Sequence, residues 1–240
     1  MSKLFSILRI PSLRSALLRH GVAAGVEHLP VLRHPDKQGM QTIIDIGANR
    51  GQFALAARFA IPEAKIISFE PLQEPAEVFR SVFAGDPLTT LQQMAIGKTE
   101  METSIHVSRS DDSSSLLPIT NLQSELFPNT GEKETRTVQV KRLEKAIDVS
   151  ALPSPMLLKI DVQGMELQVL NGIGTFLKEF GFIYTECSFM ELYKGQALAH
   201  DVITYLRKNG FQLEGVYNVS HNRAGIAIQG DFLFRNSRKG

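Results

Sequence analysis

The chain contains 240 residues, of which 43% are hydrophobic and 21% are charged, and its formal net charge is +1. This size and composition suit one globular domain with a sizeable core, and the near-neutral charge gives no preference for nucleic acid. The single cysteine excludes an intrachain disulfide and argues against a zinc site. No apolar run is long enough to span a bilayer, and residues 1–20 do not resemble a secretory signal, so we expect a cytoplasmic enzyme or binding protein.

Residues 1–40 differ from the rest of the chain because they carry six basic and two acidic side chains. Leucines recur there at helical spacing, which predicts a basic helical extension interrupted at Pro11. One interpretation is a helix docked on the core with its basic side chains in water. The other is an amphipathic helix in which residues 1–20 contact a membrane surface. The break at Pro11 favours docking.

From residue 41 onward, short β-branched runs alternate with longer helical runs, which predicts a parallel sheet with helices on both faces. The predicted strands are Thr42–Ile46, Lys65–Glu70, Leu88–Ala95, Met156–Asp161, Phe182–Glu186, Phe211–Tyr217 and Ile226–Phe234. The predicted helices are Gly51–Ala60, Gln73–Ala84, Met165–Phe180 and His200–Asn209. The last two strands have no helix between them, so we expect them to pair antiparallel at the sheet edge.

Residues 98–140 interrupt this alternation with a stretch rich in serine, aspartate, proline and charge. One interpretation is a disordered surface loop. The other is an inserted hairpin that forms a lid over a ligand site. We favour the lid, because a long excursion inside a compact α/β domain is more often functional than idle.

Polar residues and glycines follow the first predicted strand in the order Asp45, Gly47, Asn49 and Gly51. Ligands of open parallel sheets bind at the carboxyl ends of the strands, and a helix beginning at Gly51 offers free N–H groups. The spacing lacks the GxGxxG turn that cradles a diphosphate, and Asp45 would repel one. The amino-acid end of S-adenosylmethionine, with its ammonium, carboxylate and neighbouring sulfonium, suits these residues better.

The next two strands end on residues that suit the nucleoside half of the same cofactor. Glu70, at the tip of the second strand, is placed to accept hydrogen bonds from both ribose hydroxyls, with an ordinary solvent-facing glutamate as the alternative. Ala95 and Ile96, at the end of the third strand, are small and apolar enough to flank an adenine ring.

Two later strands also end on acidic residues. Asp161 follows a strand expected beside the first one, and Lys159 shares its face of that strand, with Glu166 as a plausible partner for the lysine. Glu186 ends the next strand, where a salt bridge to a basic residue is the alternative to a functional role. Asp161 and then Glu186 are our candidates for a catalytic base.

Several pieces of the sequence, in order, resemble the FkbM family of S-adenosylmethionine-dependent methyltransferases. The pieces are DIGANRGQF (45–53), FEP (69–71), MAIG (94–97), SSSLL (113–117), VQVKRLE (138–144), KIDVQGMELQVLNG (159–172) and ECSFMELYKGQ (186–196). The resemblance implies a seven-stranded class I methyltransferase (Rossmann-like) sheet with an antiparallel C-terminal strand, in a domain of residues 41–240. Gln163 stands where the family usually has glutamate.

The resemblance also implies methyl transfer, usually to a hydroxyl oxygen, with sugars, glycans and natural products as known acceptors. It adds Phe53 and Pro71 to the cofactor site. Phe189, Tyr193 and Gln196 are candidate acceptor contacts, and we expect no required metal. Three alternatives stay open: a nitrogen or peptide acceptor, a nicotinamide-dependent oxidoreductase on a similar sheet, and a non-catalytic cofactor-binding protein.

Overall fold

The computed structural model describes residues 3–37 and 39–239. The strands within these residues are β1 (Thr42–Ile46), β2 (Lys65–Phe69), β3 (Thr89–Gln92), β4 (Ala95–Ile96), β5 (Met101–Ser108), β6 (Glu132–Lys141), β7 (Met156–Ile160), β8 (Phe182–Ser188), β9 (Phe211–His221) and β10 (Ala227–Asn236). The α-helices are α1 (Lys3–Arg9), α2 (Pro11–His20), α3 (Leu29–Leu32), α4 (Gln52–Ala60), α5 (Gln73–Val82), α6 (Asn121–Leu126), α7 (Leu143–Ala146), α8 (Glu166–Ile173) and α9 (Ala199–Lys208).

Seven strands form the main sheet in the order β3-β2-β1-β7-β8-β10-β9. Strand β1 pairs in parallel with β2 and β7, and β7 pairs in parallel with β8. Strand β10 runs antiparallel to both of its neighbours, β8 and β9. The predicted class I methyltransferase sheet is therefore confirmed. Strands β2 and β3 lie on one side of β1, and β7 and the later strands of this sheet lie on its other side. Ligands of such sheets bind in the crevice where the strand order reverses, here between β1 and β7.

The central strands are buried throughout and mostly apolar, because helices cover both faces of the sheet. Strand β1 is buried at all five positions, and so is β7. Successive side chains alternate between faces. Ile43 and Leu157 thus join a core cluster with α2 and α4, whereas Ile44 and Leu158 join a second cluster with α8 and α9. Two-sided burial explains why these strands read as continuous hydrophobic runs.

The basic N-terminal segment forms two short helices that pack on the core. Helix α1 ends before Pro11, which occupies the first turn of α2, where its missing N–H costs little. Ile7 and Leu13 are fully buried in the cluster beside α4, while Leu18 is exposed. None of the helices in residues 3–37 and 39–239 is long and apolar enough to cross a membrane.

Residues 98–140, called the inserted segment below, contain a hairpin rather than a structureless loop. Strands β5 and β6 pair antiparallel, and β4 adds to β6 in parallel to give a separate three-stranded sheet. The single strand predicted at Leu88–Ala95 is consequently wrong. The chain leaves the main sheet after β3 and enters the small sheet at β4, because Ala95 and Ile96 pair with β6 instead of β2.

The predicted helix at Met165–Phe180 is also shorter than expected. Helix α8 stops at Ile173 because Gly174 adopts a positive φ, and residues Gly174–Glu179 continue as a 3-10 helix. Glycines at 172 and 174 weaken the α-helical preference of this stretch, which is the physical reason for the early stop.

Candidate functional site

A cavity opens at the carboxyl ends of β1, β2 and β7. The residues predicted for the cofactor that line it are Gly47, Asn49, Phe53, Glu70, Pro71, Ala95, Ile96 and Asp161. The inserted segment forms its roof with Asp111, Asp112, Ser114, Ser115 and Leu116. Lys3, Glu27 and His28 from the N-terminal segment close one further side. The main sheet, the inserted segment and the N-terminal segment therefore meet at the crevice between β1 and β7.

Asp45 does not line this cavity, contrary to its predicted role as a direct ligand of the cofactor. Its side chain is fully buried, and Oδ1 lies 3.0 Å from Lys159 Nζ. The parallel register pairs Asp45 with Lys159, which brings the two side chains together. Burial raises the pKa of the Asp45 carboxyl, and the Lys159 charge opposes that rise. Asp45 therefore lies behind the cavity wall, in contact with Lys159, which lines the cavity.

Lys159 connects β7 to the glycine loop that follows β1. Its ammonium donates to the Gly47 carbonyl oxygen at 2.8 Å, and it lies 3.8 Å from Asp161 Oδ2. The suggested Lys159–Glu166 ion pair is wrong, because Glu166 Oε1 instead accepts the backbone N–H groups of Val162 and Gly164. Lys159 is consequently committed to holding the loop in place.

Two predicted glycines serve packing more than ligand approach. Gly47 has φ 81°, and a Cβ there would lie 1.8 Å from the Asp161 carbonyl oxygen. Gly51 has φ 93°, and a Cβ there would lie 2.7 Å from the Phe83 ring, so this glycine does not reach the cavity. Both positions demand glycine because of conformation and neighbouring protein atoms.

Glu70 ends β2 on the cavity wall with its carboxylate fixed in position. Oε2 accepts the N–H of Asn49 at 2.9 Å, and Oε1 accepts the N–H of Leu72 at 2.8 Å. Burial raises the pKa of Glu70 to about 7, although the two backbone N–H donors act to lower it. Each oxygen keeps a lone pair for another donor.

Asp161, Gln163 and Glu186 form a group that we call the carboxylate bridge. Gln163 Nε2 donates to Asp161 Oδ1 at 2.6 Å and to Glu186 Oε2 at 2.8 Å. Glu186 Oε1 accepts from Gln229 Nε2 at 2.9 Å, and Glu186 lies behind the cavity wall. Burial, followed by the Asp161 charge, raises the pKa of Glu186 well above its usual range. Asp161 reaches the cavity, and Glu186 supports it.

The three residues predicted to bind the acceptor do not line the cavity. The Tyr193 hydroxyl is buried, 2.7 Å from Gln163 Oε1 and 3.1 Å from the Ser113 carbonyl oxygen. Gln196 Oε1 accepts the N–H groups of Leu192 and Tyr193, so it stabilises a turn. Phe189 is exposed and packs near Phe232 at a ring distance of 5.6 Å. Internal hydrogen bonding explains the first two differences.

His28 lines the cavity, although no local sequence pattern points to it. Its Nδ1 lies 3.1 Å from the Tyr184 hydroxyl, which donates to Asp231 Oδ2 at 3.0 Å. Burial lowers the pKa of His28 to about 4, so the ring is neutral near pH 7. Strand β10, which carries Asp231, and the short 3-10 turn at Val26–His28 meet only in the tertiary structure.

The charges on the cavity wall suit a cationic ligand better than a diphosphate. Glu70 and Asp161 present carboxylates, and the Lys159 ammonium is already paired with Asp45. Met94, Ala95 and Ile96 add an apolar wall near them. No cluster of three or more His, Cys, Asp or Glu side chains in the described part of the chain is arranged for a metal ion.

Comparison with known sequences agrees with this description. A family model described as "Methyltransferase FkbM domain" matches residues 45–213. The chain is 28% identical over 214 residues to "2-O-methyltransferase NoeI" of Sinorhizobium fredii, which covers 87% of this chain and 83% of that protein. It is 29% identical over 155 residues to "Methyltransferase sdnD" of Sordaria araneosa, and that match covers 55% of this chain and 60% of that protein.

Two solved structures are similar to this chain at low sequence identity and with TM-scores below 0.5. A precorrin-6y C5,15-methyltransferase from Geobacter metallireducens has a TM-score of 0.43 and 11% identity, covering 81% of this chain and 78% of that one. A ribosomal protein L11 methylase from Lactobacillus delbrueckii subsp. bulgaricus has a TM-score of 0.44 and 14% identity, covering 88% and 77%. Similarities of this size carry no information about the acceptor.

Proposed function

Because the chain belongs to the FkbM family of methyltransferases, we propose that it transfers a methyl group from S-adenosylmethionine to a hydroxyl of a sugar, glycan or natural product. The observation that carries this proposal is the position of Asp161, a half-exposed carboxylate on the cavity wall beside the glycine loop. The family rules out the nicotinamide-dependent alternative. A nitrogen or peptide acceptor has no structural observation in its favour.

The cavity residues fit the parts of that cofactor. S-adenosylmethionine supplies a methyl group attached to a positively charged sulfur. Glu70 is placed for the ribose hydroxyls, and the apolar wall at Ala95 and Ile96 suits the adenine ring. Gly47 and Asn49 are placed for the amino-acid end, and Asp161 adds a negative charge that favours the sulfonium.

An oxygen acceptor is favoured by the name of the relative NoeI, a 2-O-methyltransferase, and by the chemistry of Asp161. A hydroxyl is a weak nucleophile until its proton begins to leave, so a carboxylate within hydrogen-bond reach increases the rate. Asp161 Oδ1 is occupied by Gln163, whereas Oδ2 has the 3.8 Å contact with Lys159. We assign Oδ2 as the proton acceptor, and positioning of the two reactants supplies most of the remaining rate increase.

Glu186, the second candidate base, receives a different role in this proposal. Both of its oxygens accept amide hydrogens, from Gln163 and Gln229. A carboxylate engaged on both sides and outside the cavity is poorly placed to take a proton from an acceptor. Glu186 therefore orients the carboxylate bridge, and Asp161 is the catalytic residue.

The test combines cofactor binding with turnover of Asp161→Asn. We expect calorimetry to detect S-adenosylhomocysteine binding to both proteins. Methyl transfer from labelled S-adenosylmethionine to a panel of glycans and polyols should fall by about 10²- to 10⁴-fold in the variant. Glu186→Gln, as the matched comparison, should lose much less activity. Wild-type turnover by Asp161→Asn would refute the base assignment, and failure of the wild-type protein to bind S-adenosylhomocysteine would refute the proposed function.

A further inference from the structure

The amide of Gln163 is the link between the two carboxylates of the bridge. One atom of that amide lies 2.6 Å from Asp161 Oδ1 and 2.8 Å from Glu186 Oε2. Carboxylate oxygens accept hydrogen bonds, so the shared atom must be the NH₂ group with its two hydrogens. The remaining amide oxygen accepts from the Tyr193 hydroxyl at 2.7 Å. The contacts thus use both hydrogens and the oxygen of this side chain.

A glutamate at this position would not make the same contacts. Its carboxylate has no hydrogen to donate when ionised, and it would place a further negative charge beside Asp161. In residues 3–37 and 39–239, the cation that lies within 4 Å of Asp161 is Lys159, which also pairs with Asp45. A neutral amide is therefore the better side chain for joining these two carboxylates without an additional proton or cation.

The backbone of Gln163 is fixed as firmly as its side chain. It adopts φ 54°, an uncommon conformation for a residue other than glycine. Its carbonyl oxygen accepts from Ser115 Oγ at 2.6 Å, and the Tyr193 hydroxyl also lies 3.1 Å from the Ser113 carbonyl oxygen. These contacts tie the carboxylate bridge to the inserted segment that roofs the cavity.

We propose that Gln163 is a positioning residue for methyl transfer, whose amide holds Asp161 Oδ1 so that Oδ2 stays turned to the acceptor. The proposal rests on the proposed function, because it takes Asp161 as the base. Gln163 acts through Asp161 and needs no contact with the acceptor. The amide N–H donates to Asp161 Oδ1 at 2.6 Å, and this hydrogen bond fixes the direction in which the carboxylate points.

Other titratable groups also face Asp161, and they stay in place when Gln163 is changed. They are Lys159, Asp45, His28, Glu166, Glu186 and Tyr193. A change in the titration of Asp161 between variants at position 163 is consequently assignable to that one side chain.

Gln163→Glu is the decisive variant. A further negative charge next to Asp161 should make its protonated form more stable. The pH midpoint at which Asp161 titrates should therefore rise by about one unit or more, as should the acidic limb of the kcat profile. The titration is measured without substrate by NMR of protein labelled with ¹³Cγ-aspartate, with Asp161→Asn used for assignment. Gln163→Met, which cannot donate, should lower kcat by about tenfold or more with a smaller effect on KM.

Gln229→Glu is the matched control. Gln229 donates to Glu186 at 2.9 Å and makes no contact with Asp161, so the same chemical change there adds a charge beside Glu186 alone. We expect a clearly smaller rise in the Asp161 midpoint than for Gln163→Glu. Thermal unfolding and S-adenosylhomocysteine binding identify any variant that has lost its fold. If one of Gln163→Glu and Gln163→Met has done so, the other one tests the inference.

The two readouts separate this inference from the proposed function. Raised Asp161 midpoints in Gln163→Glu support the inference even if the wild-type protein transfers no methyl group to any acceptor tested. Unchanged midpoints and an unchanged acidic limb in an active Gln163→Glu variant overturn the inference, and they leave the proposed function standing. An equal effect of Gln229→Glu also overturns it, because the effect would then not depend on contact with Asp161.

Discussion

Glu70 is a side chain whose charge changes close to neutral pH, because burial raises its pKa to about 7. If the ribose hydroxyls donate to its carboxylate, binding favours the ionised form and releases a proton when the pH is below 7. The affinity for S-adenosylhomocysteine should therefore increase about tenfold from pH 6 to pH 8. His28, with a pKa lowered to about 4, does not titrate in this range. Calorimetry at several pH values measures the trend.

Glu70→Gln is the matched variant for this prediction, because it keeps one acceptor oxygen and removes the titrating group. Its affinity should be lower at pH 8 and nearly independent of pH between 6 and 8. Glu77→Gln, on the exposed face of α5, should behave like the wild-type protein. A wild-type affinity that is flat over this range would mean that the ribose does not use the Glu70 carboxylate.

Single residues differ in how far their positions were predictable from the sequence. Glu70 and Asp161 were placed correctly on the cavity wall, because the carboxyl end of a parallel strand fixes the location of the next residue. The Asp45–Lys159 pair was missed because it depends on the register between β1 and β7. His28 was missed because its position depends on how the N-terminal segment folds back.

Gly172 in helix α8 packs against Gly97, the residue directly after β4. This contact holds α8 close to Ala95 and Ile96, which form one wall of the cavity. A Cβ at Gly172 would lie 2.2 Å from the Gly97 carbonyl oxygen, directly after β4. Gly172→Ala should therefore push α8 away from Ala95 and Ile96. We expect a loss of stability of about 1–3 kcal/mol, despite the better helix propensity of alanine, and weaker binding of S-adenosylhomocysteine.

Thermal unfolding and calorimetry measure the two effects, and Gly85→Ala is the control. A Cβ at Gly85 would meet no atom within 4 Å, so alanine there should change neither quantity appreciably. Normal stability and normal affinity of Gly172→Ala would show that α8 and β4 can separate without cost. That result would contradict our expectation that this packing positions the apolar wall formed by Ala95 and Ile96.

At the level of elements, the sheet was easier to predict than the segments that leave it. Apolar runs bounded by turn residues identified β1, β2, β7 and β8 to within two residues. The run from Leu88 to Ala95 looks like one strand, but pairing partners decide which sheet each part joins, and β6 is some forty residues away. The inserted segment also packs Leu117 and Ile119 against Tyr193, which makes it part of the core.

The whole molecule closes its cavity with two segments outside the main sheet. The N-terminal segment contributes Lys3 and His28, and the inserted segment contributes Asp111, which pairs with Arg50 at 2.8 Å. Removing residues 112–130 would take away Leu117 and Ile119 and uncover the apolar cluster around Tyr193, so deletion would disturb the fold together with the site. Point changes on these segments are therefore better probes than truncation.

Burial of acids in the interior also sets how the stability of the whole protein depends on pH. Burial raises the pKa of Glu166 to about 7, as for Glu70, from an ordinary value of 4.5. The folded state therefore binds more protons than the unfolded state between about pH 4.5 and 7. These buried acids make the free energy of unfolding fall as the pH rises through this window. For one such group the loss is on the order of 3 kcal/mol. His28 acts in the opposite direction, because burial lowers its pKa from 6.5 to about 4.

Glu166→Gln should reduce this pH dependence, because the amide keeps an oxygen for the N–H groups of Val162 and Gly164 and cannot ionise. The difference in free energy of unfolding between pH 5 and pH 8, from urea denaturation, should be smaller in the variant than in the wild-type protein. The acids with lowered pKa values, such as Asp86, release their protons below this window and do not mask the effect. Glu125→Gln, on an exposed surface, is the control that should keep the wild-type difference. An equal pH difference in Glu166→Gln and wild type would mean that Glu166 ionises at an ordinary pH inside the folded protein.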